Sequence, residues 1–333
     1  MRAAGTDAAP VLEVTDLRVS FPTRGGVLHA VRGLSFSLEA GQVLAIVGES
    51  GSGKSVTALA VLGLLPGNAV VGGSVRYRGR ELLGLADREL RAVRGRELAV
   101  IFQDPTTSLN PVRTVGWQIA EVVRAHHALS RNEASERAVR LLELVGIPSP
   151  RRRVSAYPHQ LSGGMRQRVV IAMALANDPS VLLADEPTTA LDATAQAQIL
   201  ETIQMAQQRT GAAVVLITHD LGVVAGMADR VIVMYAGRAV EVGHVDDIYY
   251  RPQMPYTVGL LGALPGPDEG ALTPIPGAPP SLVGLGPGCP FSPRCPLAMD
   301  RCRESEPVLT PVAGAGHGAA CHYSGAPSRE GGA

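Results

Sequence analysis

The chain has 333 residues, of which 46% are hydrophobic and 18% charged, a composition typical of a globular protein with a sizeable core. Lys and Arg together number 30, and so do Asp and Glu, so the formal net charge of zero gives no general electrostatic reason to bind nucleic acid. No apolar run reaches the roughly 18 residues that a membrane span requires, and the amino terminus lacks a secretory pattern, so we expect a cytoplasmic protein.

The predicted elements begin with β-strands. Alternating apolar and polar residues predict half-buried strands over residues 11–21 and 34–38, and a continuous apolar run predicts a buried strand over 43–47. A segment rich in Ala and Leu predicts a helix over 54–65, which a Pro-Gly pair ends. A further buried strand is predicted at 98–102.

The middle of the chain is predicted to be helical, with long apolar faces and exposed Arg and Glu over about 114–145. Another helix is predicted over 162–176. Buried strands follow at 181–184 and 214–218, and they flank a helix predicted over 193–209.

A hairpin is predicted over 231–242. Buried strands that alternate with helices indicate an α/β domain with a mostly parallel sheet, which we place at residues 10–263. The helix-only stretch, at about 105–160, would be a lobe inserted into that domain. Pro and Gly dominate the segment that follows, so residues 264–333 are predicted to form an irregular extension with little regular secondary structure.

A phosphate-binding loop is the first motif that carries chemistry. Gly48–Ser55 fits the phosphate-loop pattern and lies between a predicted strand and a predicted helix. Its glycines let backbone N–H groups turn toward a polyphosphate, and the helix that begins at Lys54 adds its positive N-terminal end. Lys54 would reach the terminal phosphates, and the Ser55 hydroxyl would bind Mg²⁺. The alternative is a Gly-rich turn that matches by chance.

Two carboxylates follow the predicted strand over 181–184. Asp185 would hold Mg²⁺ through water, and Glu186 would polarise an attacking water as general base. Ligands bind at this end of the strands in parallel α/β sheets. Alone, the pair could equally be a solvated strand end, and its pairing with the phosphate loop favours the functional interpretation.

A second anion site is predicted just ahead of that strand. Leu161–Gln167 places Ser162 and two glycines at the start of a helix, which supplies a hydroxyl and free N–H groups. An ordinary serine N-cap is the alternative interpretation. A second anion site makes sense if it closes over the ATP that another copy binds.

These motifs resemble the nucleotide-binding subunits of ABC transporters, and the resemblance covers about residues 11–260. Leu161–Gln167 is similar to the signature motif of that family. Gln103 matches the glutamine that senses the γ-phosphate, and His219 matches the switch histidine. Thr189–Asp192 matches the loop that crosses the dimer interface.

The resemblance implies a P-loop NTPase fold of the ABC type, with a mostly parallel core sheet, an antiparallel β subdomain and an inserted helical lobe. It assigns catalysis to Glu186, His219 and Gln103, and adenine to the ring of Phe21, with His29 as the alternative. The nucleotide would bind Phe21, Gly48, Glu49, Ser50, Gly51, Ser52, Gly53, Lys54, Ser55, Val56, Ser162, Gly163, Gly164 and Asp192. The Mg²⁺ ligands would be Ser55, Gln103 and Asp185.

The resemblance also implies a mechanism and partners. Two such domains would enclose two ATP molecules head to tail, each site combining one phosphate loop with the signature motif of the other subunit. Closure would pass to the membrane subunits through the helical lobe. The implied partners are a second homologous ATPase in a heterodimer, two transmembrane permease subunits and, indirectly, an extracytoplasmic solute-binding protein. The chain would lie peripherally on the cytoplasmic face of the membrane.

Two segments narrow the family. Asp104–Pro111 and Arg251–Thr257 resemble the ATPase subunits of dipeptide and oligopeptide permeases, a group that also contains nickel importers. Peptide import is therefore the expected function, with nickel or another small solute as the alternative. A non-transport ABC ATPase is a rival, but the chain lacks the sustained heptads of a long coiled coil and a second ATPase domain. The intact Glu186 and His219 argue against a purely regulatory nucleotide sensor.

Four cysteines lie in the tail: Cys289, Cys295, Cys302 and Cys321. Four thiolates in a short Pro-rich segment can bind a metal centre that replaces a hydrophobic core. The resemblance to peptide-permease ATPases favours a [4Fe–4S] cluster with a structural or regulatory role. Zinc with His317 or His322, and four reduced thiols, are the alternatives. The lack of a Cys-x-x-Cys pair counts against a zinc ribbon.

Overall fold

The computed structural model describes residues 9–189, 191–264, 274–312 and 316–323. In these residues the strands are β1 (Leu12–Thr23), β2 (Gly26–Leu38), β3 (Val43–Val47), β4 (Val70–Tyr77), β5 (Arg80–Glu81), β6 (Leu98–Ile101), β7 (Val181–Asp185), β8 (Ala213–Thr218), β9 (Arg230–Tyr235), β10 (Arg238–His244), β11 (Thr310–Pro311) and β12 (Gly318–Ala319). The helices are α1 (Lys54–Val61), α2 (Asp87–Val93), α3 (Pro105–Ser108), α4 (Val115–His126), α5 (Arg131–Leu144), α6 (Pro150–Arg153), α7 (Gly163–Ala174), α8 (Ala193–Thr210), α9 (Leu221–Val224), α10 (Val245–Tyr250), α11 (Pro255–Gly262) and α12 (Asp300–Glu304).

The chain divides into two compact units. We call the first the helical unit; its described residues are 9–12, 37–42 and 76–216. We call the second the phosphate-loop unit; it comprises the described residues of 13–36, 43–75 and 217–333. None of the helices in the described parts of the chain has the length and apolar character that a bilayer span would need.

The helical unit contains the strands β6 and β7, which pair in parallel with Leu98 opposite Val181 and Ile101 opposite Ala184. Every residue of β7 is buried, as the uninterrupted apolar run predicts for a strand covered on both faces. Because the two strands are parallel, their carboxyl ends meet at one edge of the sheet. The residues that follow β6 and β7 therefore start from the same edge.

Helices α4, α5 and α7 pack together in this unit. The sequence predicts continuous helix over about 114–145, and this prediction is wrong at one point, because α4 ends at His126 and a new helix starts after Ser130. The Ser130 hydroxyl accepts a hydrogen bond from the Glu133 N–H, and the Glu133 carboxylate accepts one from the Ser130 N–H. This reciprocal capping box fixes the start of α5.

The phosphate-loop unit contains a parallel pair, β3 and β9, with Leu44 opposite Arg230 and Val47 opposite Val233. Strand β10 continues from β9 as an antiparallel hairpin, as the sequence predicts. A second sheet places β1 between β2 and β4. The α/β class with a parallel core and a separate β sheet is therefore confirmed.

The described part of the C-terminal tail is more regular than the sequence predicts. Strand β12 pairs antiparallel with β10, with Glu241 opposite Ala319, and β11 pairs with β12 in turn. The tail also forms the short helix α12. Strands of two residues leave no periodic pattern in a sequence, which explains why they were not predicted.

Candidate functional site

The loop between β3 and α1 has a backbone that only glycine can adopt at two positions. Gly48 has a φ of 150° and Gly53 a φ of 102°. A Cβ atom added at Gly48 would lie 2.2 Å from the carbonyl oxygen of Met234, and one added at Gly53 would lie 2.3 Å from that of Ala30. The chain therefore has no space behind this loop for any side chain at either position.

Lys54 lies inside this loop and is only 4% exposed. Its ammonium group donates to the carbonyl oxygens of Gly48 at 2.7 Å and Glu49 at 2.9 Å. The Ser52 hydroxyl is buried and has no hydrogen-bond partner among the described residues. A buried cation, an unsatisfied hydroxyl and the first N–H groups of a helix form a fitting site for phosphate oxygens.

Glycine at the tip of the loop has a different environment. Gly51 has a φ of 80°, and nothing lies within 4 Å of a Cβ atom added there. Ser50 beside it is exposed, whereas Ser55 and Val56, in the first turn of α1, are half-buried. The loop is therefore constrained at its base and open at its tip.

The other predicted residues of this unit lie on β1, β2 and after β8. His219 follows β8 and is exposed, next to Asp220, whose carboxylate caps α9 by accepting from the Gly222 N–H at 2.8 Å. Phe21 is half-buried on β1. The alternative adenine contact, His29 on β2, lines an open cavity of about 310 Å³ together with Arg18 and five further residues.

The helical unit brings together three predicted residues at the carboxyl edge of β6 and β7. The Glu186 carboxylate accepts hydrogen bonds from Gln103 Nε2 and from Thr189 Oγ1, each at 2.9 Å. Asp185, at the end of β7, is 8% exposed. Glu186 has a φ of 46°, a left-handed conformation that costs a non-glycine residue on the order of 1 kcal/mol or more. The backbone of Glu186 is thus strained, and its carboxylate is held in place by two hydrogen bonds.

The Ser162 segment lines an open cavity of about 690 Å³ in the helical unit. Ser162 caps α7 by accepting from the Met165 N–H at 3.3 Å, and Asp192 caps α8 by accepting from the Ala195 N–H at 2.9 Å. Gly163, Gly164 and Asp192 line the same cavity. Ala190, within the predicted Thr189–Asp192 loop, lies outside the described residues.

The cysteine prediction requires a correction. Cys289, Cys295, Cys302 and Cys321 are free thiols that line one cavity, but its volume is only about 10 Å³, roughly the space of a single water molecule. Within the described residues, no group of three or more His, Cys, Asp or Glu is arranged to hold a metal ion. The predicted [4Fe–4S] cluster is therefore contradicted.

The physical reason for this correction is burial among apolar side chains. The same cavity is lined by Met254, Phe291 and Leu297. Burial raises the pKa of the Cys289 thiol to about 11 and also raises the pKa of Cys295 and Cys321. These three side chains are therefore neutral thiols near pH 7, packed among apolar groups.

The histidines offered as zinc ligands have other partners. His317 Nε2 lies 2.9 Å from the Glu241 carboxylate, and His322 Nε2 lies 2.9 Å from the Ser305 carbonyl oxygen.

Comparison with known proteins assigns this arrangement to a family. The model of ABC transporters matches residues 31–189, and the model of the C-terminal region of oligopeptide and dipeptide transporters matches residues 240–302. An oligopeptide transport ATP-binding protein of Salmonella typhimurium is 53% identical over 300 residues, which cover 90% of both chains. The chain belongs to the ABC transporter family. Within it, the matched C-terminal region places the chain in the oligopeptide and dipeptide branch.

Other members of the ABC family agree with this assignment. A dipeptide transport ATP-binding protein of Bacillus subtilis is 54% identical and aligns over 90% of this chain and 91% of its own. An oligopeptide transport ATP-binding protein of Mycobacterium bovis is 59% identical over 94% of this chain. The chain spans about half, 52%, of the length of that mycobacterial relative.

Solved structures of ABC cassettes share the fold. The dimeric cassette MJ0796, determined in a post-hydrolysis state with ADP and phosphate, gives a TM-score of 0.63 at 27% identity, and the match covers 70% of this chain and 98% of that one. A cassette from Clostridium perfringens, part of the complex cbiONQ, gives a TM-score of 0.62 at 27% identity, over 73% of this chain and 92% of that one.

Sequence reasoning missed two residues that contact the phosphate loop of this ABC protein. Tyr256 accepts a hydrogen bond from the Glu49 N–H at 2.9 Å, and Arg294 binds the Glu49 carboxylate. Tyr256 lies in the segment that resembles peptide permeases, which was the only available signal. Arg294 lies in the tail beside a cysteine, where the sequence offers no sign of such a contact.

Proposed function

We propose that this chain binds MgATP and hydrolyses it to drive the import of dipeptides or oligopeptides through an ABC transporter. The observation that carries the proposal is the phosphate loop. Gly48 and Gly53 leave no room behind the loop, and the buried Lys54 points its ammonium group at the loop's own carbonyl oxygens. A buried ammonium held in a Gly-rich loop at a helix start is suited to the terminal phosphates of a nucleotide.

We assign hydrolysis to the carboxylate of Glu186 in the helical unit. Glu186 would accept the proton of the attacking water, and Gln103 and Thr189, which donate to it, would hold it in place. The Ser55 hydroxyl and the Asp185 carboxylate, with Gln103, would hold Mg²⁺, which neutralises phosphate charge when bound. His219 would contact the γ-phosphate.

The large cavity beside Ser162 supports a composite site. The cavity is lined by Ser162, Gly163, Gly164 and Asp192, which offer a hydroxyl and helix N–H groups to an anion. We infer that this anion comes from another subunit. A second, homologous ATPase would provide that anion as the ATP on its own phosphate loop. The dimeric cassette MJ0796 has the same fold. Two permease subunits and a solute-binding protein would complete the transporter, with this chain peripheral on the cytoplasmic face.

The peptide assignment rests on relatives that align over nearly their whole length. Those of Salmonella typhimurium and Bacillus subtilis are named oligopeptide and dipeptide transport ATP-binding proteins. The C-terminal region typical of such transporters matches residues 240–302. In this proposal, residues 10–263 are the ABC domain, with a helical lobe at about 105–160, and 264–333 are the extension.

Replacing Glu186 with Gln tests the proposed chemistry. The amide cannot accept the proton of water, so phosphate release falls by about 10²–10⁴-fold while MgATP still binds. Equilibrium binding of MgATP would be measured on the full chain, and phosphate release on the full chain assembled with its partner ATPase. The matched control is Glu201→Gln, on the exposed face of α8, which keeps wild-type rates. Hydrolysis by Glu186→Gln at the wild-type rate would remove Glu186 from the mechanism.

A further inference from the structure

The C-terminal tail contacts the phosphate loop through one side chain. Arg294 Nη1 lies 2.6 Å from Glu49 Oε2, and Nη2 lies 2.9 Å from Glu49 Oε1. The guanidinium therefore binds the carboxylate with two parallel hydrogen bonds, the geometry that gives such pairs their strength. Arg294 is 7% exposed, so the pair is shielded from solvent on the arginine side. Both residues lie in the phosphate-loop unit.

Two further N–H donors of Arg294 have partners as well. Nε donates to the Pro276 carbonyl oxygen at 2.8 Å, and Nη1 donates to the Tyr235 hydroxyl at 3.3 Å. The rings of Tyr235 and Phe291 each have their centroid 5.9 Å from the guanidinium carbon. These contacts fix the plane of the guanidinium, so the direction in which it presents its two donors to Glu49 is fixed as well.

Glu49 is held from its backbone too. Its N–H donates to the Tyr256 hydroxyl at 2.9 Å, and its carbonyl oxygen accepts from Lys54 Nζ at 2.9 Å. The Tyr256 ring is fully buried and packs against Tyr235 at 4.6 Å and Phe291 at 5.3 Å between centroids. Rings from β9, α11 and the tail thus pack together and support this position of the loop.

Without a positive partner, the negative charge of Glu49 would disfavour the binding of a polyphosphate in this loop. A carboxylate in a loop that binds a polyphosphate repels the ligand, and it also competes for the ammonium of Lys54. The bidentate contact with Arg294 neutralises that carboxylate. An arginine suits this task, because its planar fork matches a carboxylate and its charge is permanent.

We propose that Arg294 is a positioning residue for nucleotide binding, which acts through Glu49 by neutralising the carboxylate that this residue brings into the phosphate loop. This inference rests on the proposed binding of MgATP. The C-terminal tail would then set the nucleotide affinity of the chain, although it carries none of the phosphate-binding motifs.

The test compares Arg294→Gln, Glu49→Gln and the double variant, with Arg303→Gln as the matched control. Arg303 is an exposed tail arginine that pairs with Asp300. We would measure the Kd of MgATP for the full chain at low and high salt, together with thermal unfolding. Arg294→Gln leaves Glu49 unpaired and raises the Kd about tenfold, less at high salt, because the repulsion is screened. The double variant removes both charges and recovers most of that loss.

Glu49→Gln separates charge from packing. It leaves the positive Arg294 beside the loop, so the Kd falls below the wild-type value, and this holds even if Arg294→Gln does not fold. A Kd that rises in Glu49→Gln, or a double variant as weak as Arg294→Gln, would overturn the proposal and leave Arg294 as a structural contact only. Failure of the wild-type chain to bind MgATP would instead overturn the proposed function, so the two failures are distinguishable.

Discussion

Gly48 is required in the phosphate loop because a backbone carbonyl group lies directly behind it. The Met234 carbonyl oxygen would be 2.2 Å from a Cβ atom there, so the loop cannot keep its path with any larger residue. Nothing lies within 4 Å of a Cβ atom added at Gly51, so only its φ of 80° disfavours a larger residue there. The two glycines of one motif are therefore required for different reasons.

This difference predicts unequal effects of the same substitution. Gly51→Ala costs about 1–2 kcal/mol of stability, the price of a left-handed alanine. Gly48→Ala adds a steric clash with backbone and costs on the order of 3 kcal/mol or more. Thermal unfolding of both variants without nucleotide measures this contrast. Equal losses of stability would show that the Met234 carbonyl does not constrain the loop.

Most residues of the candidate site could be predicted from sequence because their motifs are local. Gly48–Ser55 and Asp185–Glu186 each lie within a few positions of a recognisable strand. The contact between Glu49 and Arg294 could not be predicted, since 245 residues separate them and no periodicity links the two. The prediction of a [4Fe–4S] cluster at the four cysteines was wrong for another reason. The spacing of cysteines along the chain does not reveal the volume that their side chains enclose.

At the scale of elements, the long buried strands were predictable and the short tail strands were not. Strands β3 and β7 are wholly buried, and β3 and residues 181–184 of β7 are uninterrupted apolar runs, so composition alone identifies them. Strand β12 has two residues and depends on the free edge of β10 for its hydrogen bonds. Its presence is a tertiary effect, fixed by the contacts that dock the tail.

One contact that docks the tail on β10 is a buried hydrogen bond between a histidine and a carboxylate. His317 Nε2 lies 2.9 Å from Glu241, and both side chains are at most 3% exposed. The Glu241 carboxylate also accepts from the N–H groups of Gln253 at 2.6 Å and Met254 at 3.1 Å. Glu241 therefore joins β10, the tail and the start of α11.

Removing the histidine should loosen the tail strand. His317→Ala leaves Glu241 with two donors instead of three, at a cost of about 2 kcal/mol, or about thirtyfold in opening. The Ala320 N–H donates to the Val240 carbonyl oxygen at 2.8 Å, so its rate of hydrogen exchange measures how often the tail strand opens. His244→Ala, an exposed histidine of β10, is the control. Unchanged protection at Ala320 would mean that the strand pairing holds the tail without His317.

At the scale of the whole molecule, the two units carry different parts of the proposed chemistry. The phosphate-loop unit holds Lys54, and the helical unit holds Glu186 and the cavity beside Ser162. Each unit is built around its own buried strands, so each presents its side chains on a rigid edge. In the proposed mechanism, bound ATP would bias a pair of ATPase subunits toward closure, which is how hydrolysis would be coupled to transport.

The most direct test of this account is peptide uptake by the assembled transporter. The tagged full chain would be isolated from its source cells with its membrane partners, and reconstituted in vesicles with the solute-binding protein. We expect uptake of a labelled oligopeptide that requires ATP on the side carrying this chain and is abolished by Glu186→Gln in this chain. Uptake at the wild-type rate with Glu186→Gln, or no ATP-dependent uptake by the wild-type complex, would contradict the account.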